Sequence, residues 1–470
     1  MASRPPDAPE SIIIERFLGL NNVRTLERLA VGELSIARNV VIDDVEQMRV
    51  RDGYTAVDSG NWHSFCNIAG RALVVRNDVL GLLEAGPTFF PLATVGSDLL
   101  SYTSVGDTIY ASSISWSGQI SPTNIVSPWG ANDDPGQWIS PVKTPTATMG
   151  AISGRQLVAP PLASLVEEHR GRIYLAVGNV LWVTELYLYS QVDLHRNFIQ
   201  FEHAITLLYS HRGGLLVGTT EKIYFLPGTF SEGMRMSTVM DAGAIPGSLT
   251  LIPAPKVHPQ AGQQPVPGGE LPVFLSTLGI CTVLENGDVH NLTDGRVQFS
   301  NLTRAAALHR DDPGDSQYVV ADAGGQTWSL NTRRKALTQF ESYSFTGFGV
   351  VDGDYYGCAA NGLYRLDGAD DAGTPIAARA RSGLMRFGGP RLSRLKGTYI
   401  TARSGAGLQM AIETGEGTRY EYAVTTREMR TMRIHMGKGM RATHFLYDVT
   451  GNDLELDMLE FVPVVVQRRV

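Results

Sequence analysis

The sequence predicts an all-β protein, a β-propeller of about six or seven hairpin-based blades with an additional antiparallel β platform domain. One pattern recurs along the chain: an apolar strand, a short turn containing Gly or Asn, and a second apolar strand, as in residues 171–183. Such turns tolerate the positive φ of tight hairpins, and the aromatic and β-branched residues beside them favour strands. Gly178 and Gly218 are 40 residues apart, and Gly324 and Gly362 are 38 apart. Because a propeller blade takes about 40 residues, the spacing favours a propeller over the alternative, an irregular β-sandwich.

The hairpins also divide the chain into three parts. Seven candidate hairpins lie within residues 61–370, which we assign to the propeller. Residues 371–470 hold six strand-like runs without the blade spacing, and we predict a separate antiparallel domain there, the platform. Residues 1–60 lack the hairpin pattern, so we expect them to pack on the platform or on a neighbouring subunit. Apolar residues at helical spacing predict a short helix over 26–39, with a weaker candidate at 162–169.

The totals are typical of a folded protein in a reducing compartment. The 470 residues are 43% hydrophobic and 19% charged. The cysteines Cys66, Cys281 and Cys358 lie far apart, which favours buried free thiols over disulfides or a zinc site. No apolar run reaches the roughly 18 residues of a membrane span, and the polar residues 1–10 lack the apolar core of an export signal. We therefore expect a soluble cytoplasmic product with no membrane-spanning segment.

The charge argues against a protein that grips nucleic acid. The formal net charge is −7, whereas tight binding to phosphates needs clustered Lys and Arg. The distribution is uneven: residues 375–470 carry 15 Lys and Arg against nine Asp and Glu, and residues 1–374 carry 25 against 38. Residues 375–470 thus have a net charge of +6 and residues 1–374 a net charge of −13. Opposite charges of this kind suit contacts between copies of the chain or with a partner.

Motifs for catalysis or metal binding are missing from the sequence. It contains no phosphate-binding Gly-Lys-Ser/Thr loop, no HExxH and no GxSxG, and its ten His residues lack ligand spacing. Three acidic clusters could offer oxygen ligands to calcium, but we interpret them as solvated turns because none has EF-hand spacing: Asp133 and Asp134; Asp311, Asp312 and Asp315; Asp370 and Asp371. Residues 322–328 resemble the Asp-box turn of sialidase propellers, which is a fold-stabilising turn. We predict no catalytic, cofactor-binding or metal site, no cofactor, and no enzyme.

Several short motifs together resemble a known family. In the N-terminal part they are Phe-Leu-Gly-Leu-Asn-Asn at 17–22, Leu-Ala-Val-Gly-Glu at 29–33, Ala-Arg-Asn at 37–39 and Arg-Val-Arg-Asp-Gly-Tyr at 49–54. Further motifs are His-Arg-Gly-Arg-Ile-Tyr at 169–174, residues 214–226 and 287–293, residues 381–388 and Gly-Lys-Gly at 437–439. The set is similar to the tail nozzle family of short-tailed bacteriophages, also called tail tubular protein B or packaged-DNA stabilisation protein. The resemblance covers nearly the whole chain through short, degenerate motifs.

This resemblance implies a structural virion protein of the phage tail, made in the host bacterial cytoplasm. It implies a homo-oligomer, a hexameric ring below the portal and the tail adaptor (the head-to-tail connector protein). The ring would form the DNA exit channel, retain packaged DNA, pass genomic DNA without sequence-specific binding, and anchor tail fibres or a tail needle. Two alternatives stay open: a tail-tip or baseplate component of a long-tailed phage, and a carbohydrate-binding propeller that recognises a receptor.

Two long segments rich in Pro, Gly, Asn and Gln, residues 117–148 and 253–272, are predicted to be loops. Loops of this length are usually functional or disordered. We expect them either to reach partners or to constrict the channel, or else to be disordered surface insertions. Trp116, Trp129 and Trp138 favour an ordered contact for the first loop.

Overall fold

The chain is described by a computed structural model. The structure describes residues 11–130, 157–257, 269–284, 286–300, 302–387, 391–437 and 439–469. Within these ranges there is no α-helix, and three single-turn 3-10 helices occur at Leu26–Arg28, Phe230–Glu232 and Ala254–Lys256. The predicted fold class, an all-β propeller with an additional β platform, is confirmed.

Six strands precede the first complete blade. They are β1 (Ile12–Ile14), β2 (Gly19–Leu20), β3 (Glu33–Arg38), β4 (Val40–Ile42), β5 (Met48–Val50) and β6 (Thr55–Ser59). The helix predicted over residues 26–39 is wrong, because only residues 26–28 form a single 3-10 turn and residues 33–38 form strand β3. Its backbone pairs with β2 and with a C-terminal strand, and such tertiary pairing overrides a weak helical stripe.

The first half of the propeller consists of three antiparallel sheets. The first holds β7 (Trp62–Ile68), β8 (Arg71–Arg76), β9 (Val79–Glu84) and β10 (Thr88–Thr94). The second holds β11 (Ser101–Val105), β12 (Thr108–Ser112), β13 (Ser117–Ile120) and β14 (Val126–Pro128). The third holds β15 (Leu157–Val158), β16 (Leu165–His169), β17 (Arg172–Val177), β18 (Val180–Glu185), β19 (Leu188–Asp193) and β20 (Phe198–Gln200). The weaker helix candidate at 162–169 is therefore also wrong, since it forms β16.

The second half continues the same arrangement. The fourth sheet holds β21 (Ile205–His211), β22 (Gly214–Thr219), β23 (Ile223–Pro227) and β24 (Ser237–Met240). The fifth holds β25 (Thr250–Pro253), β26 (Glu270–Ser276), β27 (Gly279–Val283) and β28 (Val289–Asn291). Next come β29 (Ala305–Asp312), β30 (Asp315–Asp322), β31 (Thr327–Asn331) and β32 (Leu337–Phe340), followed by β33 (Gly347–Val351), β34 (Asp354–Ala359) and β35 (Gly362–Arg365).

The propeller is closed by a strand from the N-terminal segment. β6 pairs antiparallel with β35 and completes the sheet of β33, β34 and β35. The first strands of the blades contact one another around a ring: β7 with β11, β11 with β16, β16 with β21, β25 with β29, β29 with β33, and β33 with β7. Six blade sheets are separate, whereas the four-stranded unit β29–β32 is also joined to the platform.

The platform contains the longest strands of the chain. After the small hairpin of β36 (Asp370–Asp371) and β37 (Thr374–Pro375), it holds β38 (Ala378–Ser382), β39 (Met385–Arg386), β40 (Arg391–Thr414), β41 (Arg419–Ile434), β42 (Arg441–Ala442), β43 (His444–Gly451) and β44 (Glu455–Arg469). β40 pairs with β41, β42, β43 and β44 along different parts of its 24 residues. The platform core buries Phe17, Leu34, Phe387, Phe445 and Phe461 in one apolar cluster.

The N-terminal segment is shared between the two parts. β1 and β5 pair with β44, and β3 pairs with β38 on one side and with β32 of the propeller on the other. This connection makes one 16-stranded sheet that runs from β29 into the platform. β6 instead belongs to the propeller, so residue 60 falls after the strand that closes the ring. The platform is therefore held to the propeller by β-sheet hydrogen bonds.

Candidate functional site

Arg51 anchors the junction of the three parts. Its side chain is 1% exposed, and its two Nη atoms donate to the carboxylate oxygens of Asp371 at 2.8 and 2.6 Å. It also donates to the carbonyl oxygens of Asp52 and Glu341 and, through Nε, to Oδ1 of Asn39. All five N–H groups of the guanidinium thus have an acceptor. Because all its donors are bonded, the Arg51 guanidinium fixes the relative position of segments more than 300 residues apart in sequence.

The backbone after Arg51 shows why the motif at 49–54 needs a glycine at position 53. A Cβ on Gly53 would lie 1.9 Å from the carbonyl oxygen of Asp370, so no other residue fits. The amide of Tyr54 donates to that same carbonyl at 3.0 Å, and its ring packs edge-on against Phe345. The N-terminal motif at 49–54 is thus a structural clamp on the small hairpin of β36 and β37.

A second charge network lies beside this clamp. Arg49 pairs with Asp315 at 3.0 Å, while Arg310 pairs with Asp52 at 2.6 Å and with Asp312 at 2.7 Å. The predicted acidic cluster around 311–315 is therefore neutralised by Arg49, Arg310 and Lys256, the last of which pairs with Asp311. Its interpretation as a solvated turn is wrong for Asp315, which is buried. Within the described ranges, no group of three or more His, Cys, Asp or Glu side chains is placed to hold a metal ion.

Of the other two acidic clusters, the structure describes only Asp370 and Asp371. The interpretation of Asp371 as a solvated turn residue is wrong, because it is buried against Arg51. Asp133 and Asp134 lie outside the described residues. The Asp-box-like segment at 322–328 does form a turn, in which the carboxylate of Asp322 accepts the amides of Gly324 and Thr303.

The hairpin of β40 and β41, which we call the ribbon, is the main exposed feature of the platform. β41 pairs with β40 and with no other described strand, so its outer edge is open. Ala402 faces Arg430 and Ser404 faces Thr426, which leaves residues 427–429 bulged opposite a single residue of β40. Residues 427–431 are all exposed. Since successive side chains of a strand point to opposite faces, the ribbon stands clear of the platform core here.

The exposed part of the ribbon is basic and partly apolar. Arg427, Arg430 and Arg433 are exposed, with Glu428 as the only acidic residue between 427 and 433, and Met429 is 42% exposed. Neither Arg427 nor Arg430 has an ion-pair partner among the described residues. Open edges of this kind are templates for pairing with another chain, and the positive charge selects for an acidic partner surface.

A cleft of about 520 Å³ separates the base of the ribbon from the end of the propeller. Two of its charged lining groups are satisfied locally: Nε of Arg403 donates to Glu455 at 2.9 Å, and Asp453 accepts the amide of Gly405 at 2.6 Å. Arg427 also lines the cleft. Burial raises the pKa of Asp453, but hydrogen bonds from Ser404, Ala406 and Gly405 outweigh it and hold the pKa below its usual value. These hydrogen bonds hold the base of the ribbon in place. They also leave few groups of the cleft free to bind a ligand.

Side chains fasten the inner strands of the propeller to one another. The amide of Val166 in β16 donates to Oγ of Ser101 in β11 at 3.0 Å, and the amide of Glu168 donates to Oγ1 of Thr103 at 2.8 Å. The open edge of β16 is thereby satisfied by side chains of the preceding blade.

Titratable groups are buried in this centre. Glu167 accepts the amide of Ser210 at 2.8 Å, and burial raises the pKa of Glu167 to about 7. Nδ1 of His169 lies 2.9 Å from Oγ of Ser210, and burial lowers the pKa of His169. No local sequence pattern indicates these groups, because only the packing of neighbouring blades brings β16 and β21 together.

The predicted loops are partly ordered. The first twelve residues of the segment at 117–148 include strands β13 and β14, so the prediction of a loop is wrong there. Trp129 is buried and its Nε1 donates to the carbonyl of Tyr189 at 3.0 Å, and Trp116 packs on the core of the first two blades. Trp138 lies outside the described residues, as do residues 258–268 of the second segment.

Comparisons with known proteins add little to this description. No protein-family model matches the chain, and no curated protein matches it. A solved structure to which it is similar is the extracellular domain of a putative hybrid two-component system from B. thetaiotaomicron, with a TM-score of 0.42 and 9% identity. The match covers 83% of this chain and 48% of that one, so this chain spans about half of its length. A likeness at this level carries no argument about function. No described helix is long and apolar enough to cross a membrane.

Proposed function

We propose that the chain is a structural virion protein of a tailed bacteriophage, and that six copies form the tail nozzle below the portal and adaptor. The observation that carries the proposal is the rigid union of a propeller with a platform whose basic ribbon has an open edge. This architecture suits a building block that joins other copies, and the sequence motifs point to the nozzle family. The motifs at 49–54 and 381–388 both fall on the platform or its junction.

A closed ring requires that one surface of a copy meets a different surface of the next. The ribbon supplies one surface, with exposed arginines and an unpaired strand edge. The propeller supplies the second surface, since it lies within residues 1–374, whose net charge is −13. Complementary charge guides such contacts and suppresses wrong ones.

In this assembly, genomic DNA passes along the channel that the six copies enclose. A conduit should not hold the duplex it passes, so an acidic lumen suits this role better than a basic one. We place the acidic propeller region near the lumen and the basic platform at the contacts with neighbouring subunits and the adaptor. The ring retains and releases genomic DNA without reading its sequence, and its outer surface anchors tail fibres or a needle.

The test is the assembly state of the purified full-length chain. Electron microscopy and native mass measurement should show rings of six copies, and labelled chain should appear at the base of the phage head in intact particles. A monomer that binds host glycans and forms no ring would favour the carbohydrate-binding alternative. A location at the distal end of a long tail would favour the tail-tip alternative, and either result would reject the nozzle.

A further inference from the structure

A small cavity lies at the mouth of the propeller, where four blades meet. Its volume is about 220 Å³, and its lining residues lie just before or at the start of the first strands of blades, or at the end of or just after their second strands. Asn61 and His63 come from the start of β7, Leu99 from the link before β11, Arg304 from the link before β29, and Phe345 from the link before β33. The proposed function uses none of these residues.

His63 presents an unsatisfied donor in this region. It is 5% exposed, and its Nδ1 lies 2.8 Å from Oγ of Ser64. Because Ser64 Oγ already accepts the amide of Leu100 at 2.9 Å, its hydroxyl proton is free to donate to Nδ1. The imidazole proton then sits on Nε2, which has no hydrogen-bond partner. A buried donor without an acceptor costs free energy, so a ligand atom that accepts from Nε2 is favoured.

Backbone strain sets the position of His63. Ser64 has φ of 55°, in the left-handed region, and the register of β7 against β8 shifts between His63 and Cys66. A non-glycine residue in this region costs free energy and is often found at functional sites. The bulge keeps His63 at the cavity.

Arg304 supplies a positive charge without a partner. No carboxylate of the described residues lies within ion-pairing distance of its guanidinium, and burial lowers the pKa of Arg304 with no charge opposing it. Arg310, on the strand that follows, is paired with both Asp52 and Asp312. The carbonyl oxygen of Arg304 accepts the amide of Ala323 at 2.8 Å, which fixes the backbone at the cavity rim.

The Arg304 guanidinium and the His63 imidazole face a wall that is mostly apolar. Burial lowers the pKa of His63; Asp78 and Asp98 oppose this, and the Arg304 charge adds to it. Neither aspartate pairs with Arg304 among the described residues. Seven of the twelve lining residues are alanine, leucine or phenylalanine. One charge and one neutral N–H donor suit a monoanion better than phosphate, whose second charge would be left uncompensated.

We propose that this cavity binds a small organic carboxylate with a short apolar body. The carboxylate accepts from the Arg304 guanidinium and from Nε2 of His63, and the apolar body lies against Phe345 and the alanines. The volume is below the roughly 300 Å³ at which sites for drug-sized ligands begin, so the ligand has few heavy atoms. This inference does not depend on the proposed ring.

The experiment uses 4-fluorobenzoate as the probe and ¹⁹F NMR line broadening as the readout, with the purified full-length chain. Wild type should show saturable binding at one site. Arg304→Ala should weaken it at least about tenfold, since a charge-assisted hydrogen bond is lost. Arg235→Ala, at an exposed arginine of another blade, is the matched control and should bind as wild type does. Thermal melts of both variants should match wild type, because neither arginine has an ion-pair partner among the described residues.

Three results would overturn the proposal. Equal binding of the neutral 4-fluorobenzamide would show that the carboxylate is not recognised. Equal loss in Arg235→Ala, or equal displacement by inorganic phosphate, would show general attraction of anions to the surface. Absence of saturable binding to wild type would show that the cavity does not take this class of ligand.

Discussion

Arg51 is the residue whose loss should destabilise the fold most. Replacement by Ala leaves the Asp371 carboxylate buried without a counter-charge, which costs about 3–5 kcal/mol. Urea unfolding followed by tryptophan fluorescence should show this loss for Arg51→Ala. Arg38→Ala is the control, because the Arg38–Glu341 pair at 2.9 Å is 40% and 48% exposed and such pairs contribute at most about 1 kcal/mol. Similar losses in the two variants would contradict the role assigned to Arg51.

Glu167 makes stability depend on pH. Burial raises its pKa from 4.5 to about 7 in the folded chain, so between these values the folded state holds a proton that the unfolded state has lost. This contribution therefore destabilises the fold as pH rises from about 4.5 to 7 and is constant above 7. Glu167→Gln keeps an acceptor for the Ser210 amide and removes the titration. It should match wild type near pH 4.5 and exceed it by about 1–3 kcal/mol at pH 8. Unfolding curves that stay parallel across this range would contradict the assignment.

Side-chain partners across long sequence separations could not be predicted from the sequence. The motif at 49–54 drew attention to Arg51 and Gly53, but their partner Asp371 lies 320 residues away and was interpreted as a turn residue. The orphaned Nε2 of His63 likewise depends on a bulge at Ser64 that no local pattern indicates. Local signals identify which residues are unusual, whereas the closing of the sheet decides what they contact.

At the level of elements, the closing strand β6 should limit how easily the propeller opens. Thr55 of β6 faces Arg365 of β35, and both are exposed, so the paired variant Thr55→Cys/Arg365→Cys can form a disulfide across the antiparallel pair. Oxidation should stabilise the chain by about 2–4 kcal/mol relative to the reduced form, measured as the shift of the thermal unfolding midpoint.

The native thiols should not compete in that experiment. Cys281 and Cys358 are buried and Cys66 is half-buried, all three are free, and burial raises the pKa of Cys66 and Cys281 to about 12. Thr55→Cys alone is the control and should melt identically with and without reductant. If the cross-link forms by mass spectrometry and the midpoint does not move, opening between β6 and β35 is not a step in unfolding.

Blades could be predicted from sequence because their turns and strand patterns are local. The spacing of Gly178, Gly218, Gly324 and Gly362 reflects hairpins that each form within about 40 residues. The pairing of β6 with β35 leaves no such local pattern, since its strands are some 300 residues apart. Strand β3 was mistaken for a helix because pairing with β2 and β38, and not its own periodicity, determines its conformation.

For the whole molecule, composition indicated charge asymmetry but not its location. The excess of Lys and Arg after residue 375 was evident from counting, yet the counting could not show that exposed arginines gather on an unpaired ribbon. That depends on the register shifts that bulge residues 427–429. The sequence likewise separated propeller and platform but could not reveal that β3 joins them into one sheet.

The ribbon leads to the last prediction, which concerns assembly. The double variant Arg427→Glu/Arg430→Glu should weaken association of the full-length chain about tenfold or more, because two attractive charges become repulsive at the proposed contact. Analytical ultracentrifugation across a concentration series measures this. Wild-type association should also weaken as salt rises above 0.15 M, where the screening length is about 8 Å.

Two controls separate the ribbon from general effects of charge and folding. Neither Arg427 nor Arg430 has an ion-pair partner among the described residues, so the melting midpoint of the double variant should not change. Arg235→Glu should associate as wild type does. If the double variant assembles normally while remaining folded, the ribbon is not the contact between copies. If Arg235→Glu weakens assembly equally, net charge and not the ribbon controls it.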